Sequence, residues 1–533
     1  MRSTTTKRAF SALVGLALVA TACGSDDDSS DGDDAEAEEA DAETAASEAV
    51  DDAETAASDA VDEAETEASD AVDEAETDST EASGDDSGEA ASGDGVRLGI
   101  LAECEGPFGG FYEDNVAGAT LALVEGAGAT VNSTTTALDG FEGAEVAGTS
   151  IELVGIGCGD DTPDRAIQEI RTLVEQNGAN VVIGPLSGDE GTAVANYALD
   201  NPEVTFINGI AGAQETTLHV QAPNFFRYTG DGAQWNAGIG DILVNEAGWE
   251  TAAVIADDYG FGWTSAAGFT ADFCAAGGEI TSQVFPPLGT TDYSSFVQQL
   301  PDPDEVDGYF WVVGGTGTNA ALEAFLNAKG DLTGDQHAGN LFFSPALAEA
   351  LGTDIGGAYV GGFASLPGDI QTPEIEAYLA SADETWESLA SGAGGGEVGP
   401  ASVATGFGFG YGYYAAGTAL VAALEEVGGD ISDGQAALQE SLAGLELDLP
   451  YGTVTLDENN QAIVDTFVAQ LVVNDDGEVV QETKYIVPGV DQTFGGTYSS
   501  ETDPPERDNT PCEEKDLPWQ GNEIPVVDGV PES

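Results

Sequence analysis

From Val96 onward, short apolar runs alternate with stretches whose apolar residues recur every three or four positions. VRLGILA (96–102) has strand length and is followed by turn residues, as a strand buried on both faces of a parallel sheet should be. Residues 151–156 repeat that pattern, and 114–125 between them has helical spacing. Asp160-Asp161-Thr162 ahead of Pro163 is a cap followed by proline, which predicts a helix start. Ala166, Ile167, Ile170, Leu173 and Val174 then share one face until Gly178. A strand at 181–183, a helix at 191–199 and a strand at 204–207 complete this half.

A second copy follows Phe225-Phe226-Arg227. It predicts helices at 233–247, 263–276, 293–300 and 318–329, and strands at 251–255, 280–284, 308–313 and 341–344. Residues 358–365 lead away, 373–395 and 402–427 read as helices, and 451–455, 470–473 and 485–487 as late strands, the last stopped by Pro488. Alternation of this kind places helices on both faces of a parallel sheet. The fold class expected is α/β, with two doubly wound parallel-sheet lobes joined several times.

The first 95 residues follow other rules. Arg2, Lys7 and Arg8 precede an apolar run over 9–22, shorter than the ~20 residues of a transmembrane helix and laid out as a secretory signal (1–22). Small residues then lead into Cys23, a segment that resembles a bacterial lipoprotein lipobox. The resemblance implies a lipid on Cys23 and a chain held on the outer face of the cell membrane; plain secretion is the alternative. Residues 23–95 form an acidic stalk, with eleven-residue repeats beginning at 41, 52 and 63. Its small apolar stripe and dense like charge favour a solvated spacer over a self-associating helix. A Gly/Ser-rich hinge at 83–95 ends it.

Charge narrows the function. The chain has 99 acids against 11 bases, a net charge of -88. Residues 24–95 hold 30 of the acids, so 69 acids face only 8 bases over 96–533. Such a surface has no basic stripe for nucleic acid and no polybasic patch for anionic lipid. The self-repulsion favours a soluble monomer and is relieved by salt. His219 and His337 are the only histidines, which excludes a multi-His metal site. No G-x-S-x-G, H-E-x-x-H or P-loop occurs, so neither an enzyme nor a cofactor is expected. Asp302 to Asp307 fits no calcium-loop spacing and reads as a solvated turn.

Four stretches, in order, carry a resemblance: LGILAECEGPFGGF (98–111), IELVGIGCGDDTPDRAIQEIRTLVEQNGANVVIGPLSG (151–188), FFRYTGDGAQWNAGIGDIL (225–243) and AAVIADDYGFGWTSAAGFTADFCAAGGEI (252–280). They resemble the type I periplasmic binding proteins, and among these the branched-chain amino-acid receptors of ABC importers. The resemblance implies a lobe of 96–221 plus 366–465, a second of 225–362 plus 468–496, and a tail of 497–533. It implies crossovers near 220–227, 360–368 and 463–469, and an amino acid, of branched-chain type or a related small polar solute, held by hinge closure and delivered to an ABC permease. A sensor serving a signalling partner is the alternative. Carried over position by position, the ligand contacts are Phe111 or Tyr112, Ser187, Gly188, Ile210 and Gly212 from the first lobe, and Asp231, Tyr259 and Thr316 from the second. Asp231 is suited to an ammonium and the Pro185–Asp189 turn to a carboxylate. Gly188 and Gly212 stand where the family usually has hydroxyls, which leaves the ligand's identity open.

Cys104, Cys158, Cys274 and Cys512 permit three disulfide pairings in an exported chain. Cys104 and Cys158 end strands expected to be neighbours, which favours Cys104–Cys158 and leaves Cys274–Cys512.

Screening of this one-signed surface gives a direct expectation. The melting temperature rises with added NaCl; a flat or falling dependence in a salt titration contradicts the repulsion argument.

Overall fold

A computed structural model describes residues 95–315, 317–330, 333–340, 352–361, 369–370, 372–387, 389, 409–474, 476–507, 509 and 512–532. Cys23, the lipobox, the stalk, Thr316 and the strand expected at 341–344 lie outside the described residues, as does most of the second crossover.

The first sheet is built from β1 (Val96–Glu103), the edge strand β2 (Glu145–Val146), β3 (Thr149–Gly159), β4 (Val181–Ile183), β5 (Thr205–Ile207) and β6 (Phe225–Phe226), in spatial order β2-β3-β1-β4-β5-β6. All pairings are parallel except β2 with β3. Three helices run between these strands: α1 (Tyr112–Ala127), α2 (Pro163–Arg171) and α3 (Gly188–Asp200). The cap-then-proline reading holds for α2. Thr162 has extended backbone, its hydroxyl accepts from the Arg165 N–H, and Pro163 is the first helical residue. Phe225 and Phe226, expected in the second lobe, instead continue the first sheet by pairing with Phe206 and Ile207.

The second sheet contains β7 (Thr251–Ala256), β8 (Glu279–Val284), β9 (Gly308–Val312), β10 (His337–Asn340) and β11 (Tyr359–Gly361), ordered β8-β7-β9-β10-β11 and all parallel. Helices α4 (Gly260–Ala275) and α5 (Gly317–Lys329) belong to this half. The chain then supplies helices α6 (Pro373–Thr385), α7 (Phe409–Glu426) and α8 (Ala436–Gly444), of which α7 packs along α1 in the first half. Close approach requires glycine there: a Cβ on Gly118 would lie 1.9 Å from the Gly410 carbonyl oxygen.

A hairpin, β12 (Glu446–Leu449) and β13 (Gly452–Leu456), leads into the long strands β14 (Ala462–Val473) and β15 (Val479–Val490). β14 pairs antiparallel with β11, so the second sheet is parallel only over its first five strands. Residues 462–465, expected in the first lobe, are already part of that sheet. The tail, expected as a separate segment, extends it through β16 (Ile524–Val527), which pairs with β15.

Two predicted helices are broken. Over 233–247 the chain forms a tight turn at Gln234–Asn236, a helical turn at Ile239–Ile242 and a wide turn at Leu243–Ala247. Gly238 causes the break: its φ is +84°, and a Cβ there would lie 2.6 Å from Val487. The helix expected at 293–300 shrinks to Ser294–Val297, shortly before Pro301. Cys104 is bonded to Cys158, and Cys274 to Cys512, each with Cα atoms 5.1 Å apart. The second bond ties the tail to α4, where Trp519 Nε1–H also donates to Asp272 at 2.7 Å.

The two halves are joined around Arg227, which is fully buried. Its guanidinium donates to the Ala211 and Ala213 carbonyls at 3.0 and 2.8 Å, to Thr217 Oγ1 at 2.7 Å, and to Gln461 Oε1. Its backbone exchanges hydrogen bonds with the third crossover: Arg227 N–H donates to Asn460 O and Ala462 N–H to Arg227 O, both at 2.9 Å. Burial lowers the Arg227 pKa to about 10 against the opposing pull of Asp231. Replacing Arg227 with alanine strands this set of acceptors. The expected cost is about 3–5 kcal/mol, read by denaturant unfolding; a change within experimental error contradicts the assignment.

Candidate functional site

The carboxyl ends of parallel strands leave backbone N–H groups exposed, and ligands of open α/β sheets bind there. In the first half those tips are Glu103 after β1, Asp160-Asp161 after β3, Ser187-Gly188 after β4 and residues 208–213 after β5. In the second half they are Asp257–Tyr259 after β7 and Gly314 after β9. The two sets face each other and touch. Gly260 N–H donates across to Asp189 Oδ1 at 2.8 Å, and Gly188 lies so close to α4 that a Cβ would be 2.9 Å from Phe261 N. The structure is a closed form.

The strand-tip N–H groups already hold carboxylates, and these belong to the chain itself. Leu186 and Ser187 N–H donate to Glu103 Oε1 at 2.9 and 2.8 Å. Asp160 and Asp161 N–H donate to Glu190 Oε1 at 3.1 and 3.0 Å. Phe108 N–H donates to Asp161 Oδ2 at 3.2 Å, and Gly314 N–H to Asp257 Oδ2 at 2.9 Å. In Asp161 and Asp257 the second oxygen is buried without a partner, and Glu103 and Glu190 share a side-chain hydrogen bond. Among the described residues none of the four forms an ion pair.

Their electrostatics follow from that. Burial pushes Asp161 up to about 8, helped by the charge of Glu103, and burial alone pushes Asp257 up to about 8. Glu103 and Glu190 face each other and are both raised, again chiefly by burial. Burial, then Asp257, Asp161, Asp189 and Glu103, raise the Tyr259 hydroxyl.

The residues expected to contact ligand divide. Ser187, Gly188, Ile210, Gly212 and Tyr259 lie at the closed tips, all buried. Ser187 Oγ has no partner. Phe111 stands edge-on to Phe409 at 4.5 Å between ring centroids, with half-buried Tyr112 beside it at the start of α1. Phe108, which the sequence reading passed over, lies 6.4 Å from both Phe111 and Tyr259. Gly188 and Gly212 are explained by Phe261, whose ring would lie 2.8 Å from a Cβ at Gly212. Of the two places where hydroxyls were expected, the Phe261 ring fills that beside Gly212 and the Phe261 backbone that beside Gly188, and the Pro185–Asp189 turn holds Glu103 instead of an external anion. Asp231 is spent within the hinge: Oδ1 accepts from Ala233 and Gln234 N–H at 2.9 Å, and Oδ2 lies 3.8 Å from Arg227 and 3.4 Å from Gln492 Nε2.

Glu103, Asp161, Glu190 and Asp257 were missed because a chain with this many acids gives four of them no contrast. For Glu103 and Asp257 the available signal was a place within two residues of a predicted strand's end; Glu190, inside α3, had none.

Other concave regions take none of the expected contacts. One crevice lies by the first and third crossovers, lined by Tyr228, Trp235, Tyr411, Tyr451 and Phe467. Another includes Asp304, Glu305 and Asp307. Asp307 accepts from Glu250 and Thr251 N–H at 2.9 Å, and Asp302 pairs with Lys329 at 2.8 Å, so this turn has structural work to do. Among the described residues the one trio of donor atoms close enough for a metal is Cys104, Glu105 and Cys158, whose sulfurs are joined.

The raised carboxyls set a pH dependence. Unfolded carboxyls titrate near 4, whereas Asp161 and Asp257 hold their protons to about 8 in the closed form. The folded chain therefore binds more protons than the unfolded one across that window. The stability these two acids contribute is full below pH ~4 and is lost as pH rises through about 8, by about 5 kcal/mol for each. Asp161→Asn with Asp257→Asn should flatten the fall; an unchanged slope of melting temperature against pH contradicts the burial.

The comparisons agree with this geometry. A profile for the periplasmic binding proteins matches residues 95–478. Leu/Ile/Val-binding protein homolog 6 of Brucella abortus (strain 2308) is 23% identical over 275 residues, 49% of this chain and 64% of the relative; the Brucella melitensis homologue matches to the same extent. The match thus spans under two thirds of these relatives. Among solved structures, an ABC transporter solute binding protein from R. palustris in complex with benzoate has a TM-score of 0.59 at 20% identity, covering 74% of this chain and 97% of the other. A leucine binding protein from Thermotoga maritima has 0.56 at 17%, covering 74% and 99%. The family is one of ligand binders and not of enzymes, and its type I fold accounts for the two sheets meeting at their strand tips. The chain belongs to the periplasmic-binding-protein family.

Proposed function

We propose that this chain is an extracytoplasmic receptor that captures a small polar solute between its two halves and presents it to an ABC permease. The observation that carries the reading is the closed contact of opposing strand tips, where Gly260 N–H donates to Asp189 across the cleft. Closure of this kind can report occupancy, because a solute touching both halves favours the closed population. The likeness to leucine- and benzoate-binding proteins supports solute capture as the activity.

Ser187, Ile210 and Tyr259 form the part of the carried-over site that faces the closed tips, with Gly188 and Gly212 admitting Phe261. Phe108 and Phe111 close the cleft on the side of Tyr259. Asp231 acts through the hinge and not on the solute. Cys23 after its apolar run supports a lipid anchor, with the acidic stalk as a spacer between membrane and receptor.

A melting-temperature screen of amino acids, amides, amines and small organic acids tests this. At ~100 times its Kd the true solute adds about 2.7 kcal/mol. Tyr259→Ala should abolish most of that gain. A screen in which no solute stabilises the chain, or a gain indifferent to Tyr259→Ala, contradicts the reading.

A further inference from the structure

The cleft's polar groups are arranged with one sign. Glu103, Asp161, Glu190 and Asp257 each have one oxygen fixed by backbone N–H groups; the second oxygens of Asp161 and Asp257 are buried and unpartnered, while Glu103 and Glu190 share a side-chain hydrogen bond. Fixing one oxygen orients the carboxylate and leaves the other as an acceptor of set direction. Two buried hydroxyls without partners stand in the same place. Ser187 Oγ belongs to the residue whose N–H holds Glu103, and the Tyr293 hydroxyl is within electrostatic reach of Asp257. Among the described residues no cation stands beside these four buried acids, which therefore keep their protons, and a ligand supplying positive N–H donors would take the place of those protons.

The same geometry excludes other solutes. A ligand carboxylate would find its strand-tip N–H groups taken by Glu103 and Glu190, and Phe261 in the space next to Gly188 and Gly212. A single metal ion is disfavoured, since among the described residues no three of these carboxylates bring oxygens within 4.8 Å of one another.

We propose that the solute of this cleft is an organic cation bearing two or more ammonium or guanidinium groups, bound by the free oxygens of Asp161 and Asp257 and by the Glu103–Glu190 pair. The inference rests on the solute-capture reading and specifies its ligand class.

Calorimetry on the full chain in about 0.5 M NaCl tests it, since salt at that level screens the acidic surface far more than a buried cleft. The probes are putrescine, spermidine and agmatine, against L-leucine, benzoate and calcium chloride. At least one of the first three should bind, and the last three should not. Glu190→Gln and Asp161→Asn should each weaken that binding by about tenfold or more. The amides copy the protonated acids in shape, so the empty chain should melt no lower than the parent. Ser187→Ala, a smaller change, should weaken binding several-fold, and exchange of exposed Asp302 and Glu305 for serine should leave it unchanged. Oligoamine binding that ignores all three cleft substitutions overturns the proposal, as does binding of calcium alone. Binding of leucine or benzoate without the oligoamines overturns it too, while leaving solute capture standing. Silence from all six, and from the wider screen, removes both.

Discussion

Among the described residues, the first and third joins between the two sheets meet at the buried guanidinium of Arg227. Its side chain reaches the segment after β5, the short helix bearing Thr217, and Gln461 of the third crossover. Gln461 in turn donates to Thr229 O and Gln234 Oε1, both at 2.8 Å, and Gln234 donates to Ala462 and Val490. A planar group with five donors can satisfy this many fixed acceptors at once, which a lysine cannot. Because the partners are mostly backbone carbonyls and neutral side chains, the charge is solvated by dipoles. Asp231, at 3.8 Å, supplies the opposing charge without a close bond.

The cleft uses the opposite principle. At the hinge a buried cation is surrounded by partners; at the strand tips four acids are buried together without a cation among the described residues. Backbone N–H groups at strand ends and helix starts normally await an anion. Here internal carboxylates have taken them and turned an anion-seeking edge into an acceptor surface. Glu103 is the pivotal case: it ends β1, is fully buried, and satisfies the N–H groups of the turn that opens α3. The acids of the outer surface are different in kind, since water and salt screen them and their interactions are weak.

Much of the fold was legible in the chain. Buried parallel strands read as short apolar runs, and β1, β3, β7 and β9 stand where those runs lie. Thr162-Pro163 fixes a helix start by local chemistry alone. The failures share a cause. Gly238, Phe225-Phe226 and the tail depend on partners far away: Val487, β5 and β15. Local pattern carries no information about a neighbour brought near by folding.

The site divides along the same line. Sequence alone determined that the chain is overwhelmingly acidic, lacks the residues of common catalytic motifs, and carries its chemistry at strand ends. Side-chain identity and chain order suffice for that. Only the tertiary structure decided which acids are buried together, that Asp231 belongs to the hinge, and that Phe261 fills the space beside two glycines. Those outcomes are set by burial and by which N–H group meets which oxygen, and both arise only when the two sheets close on each other.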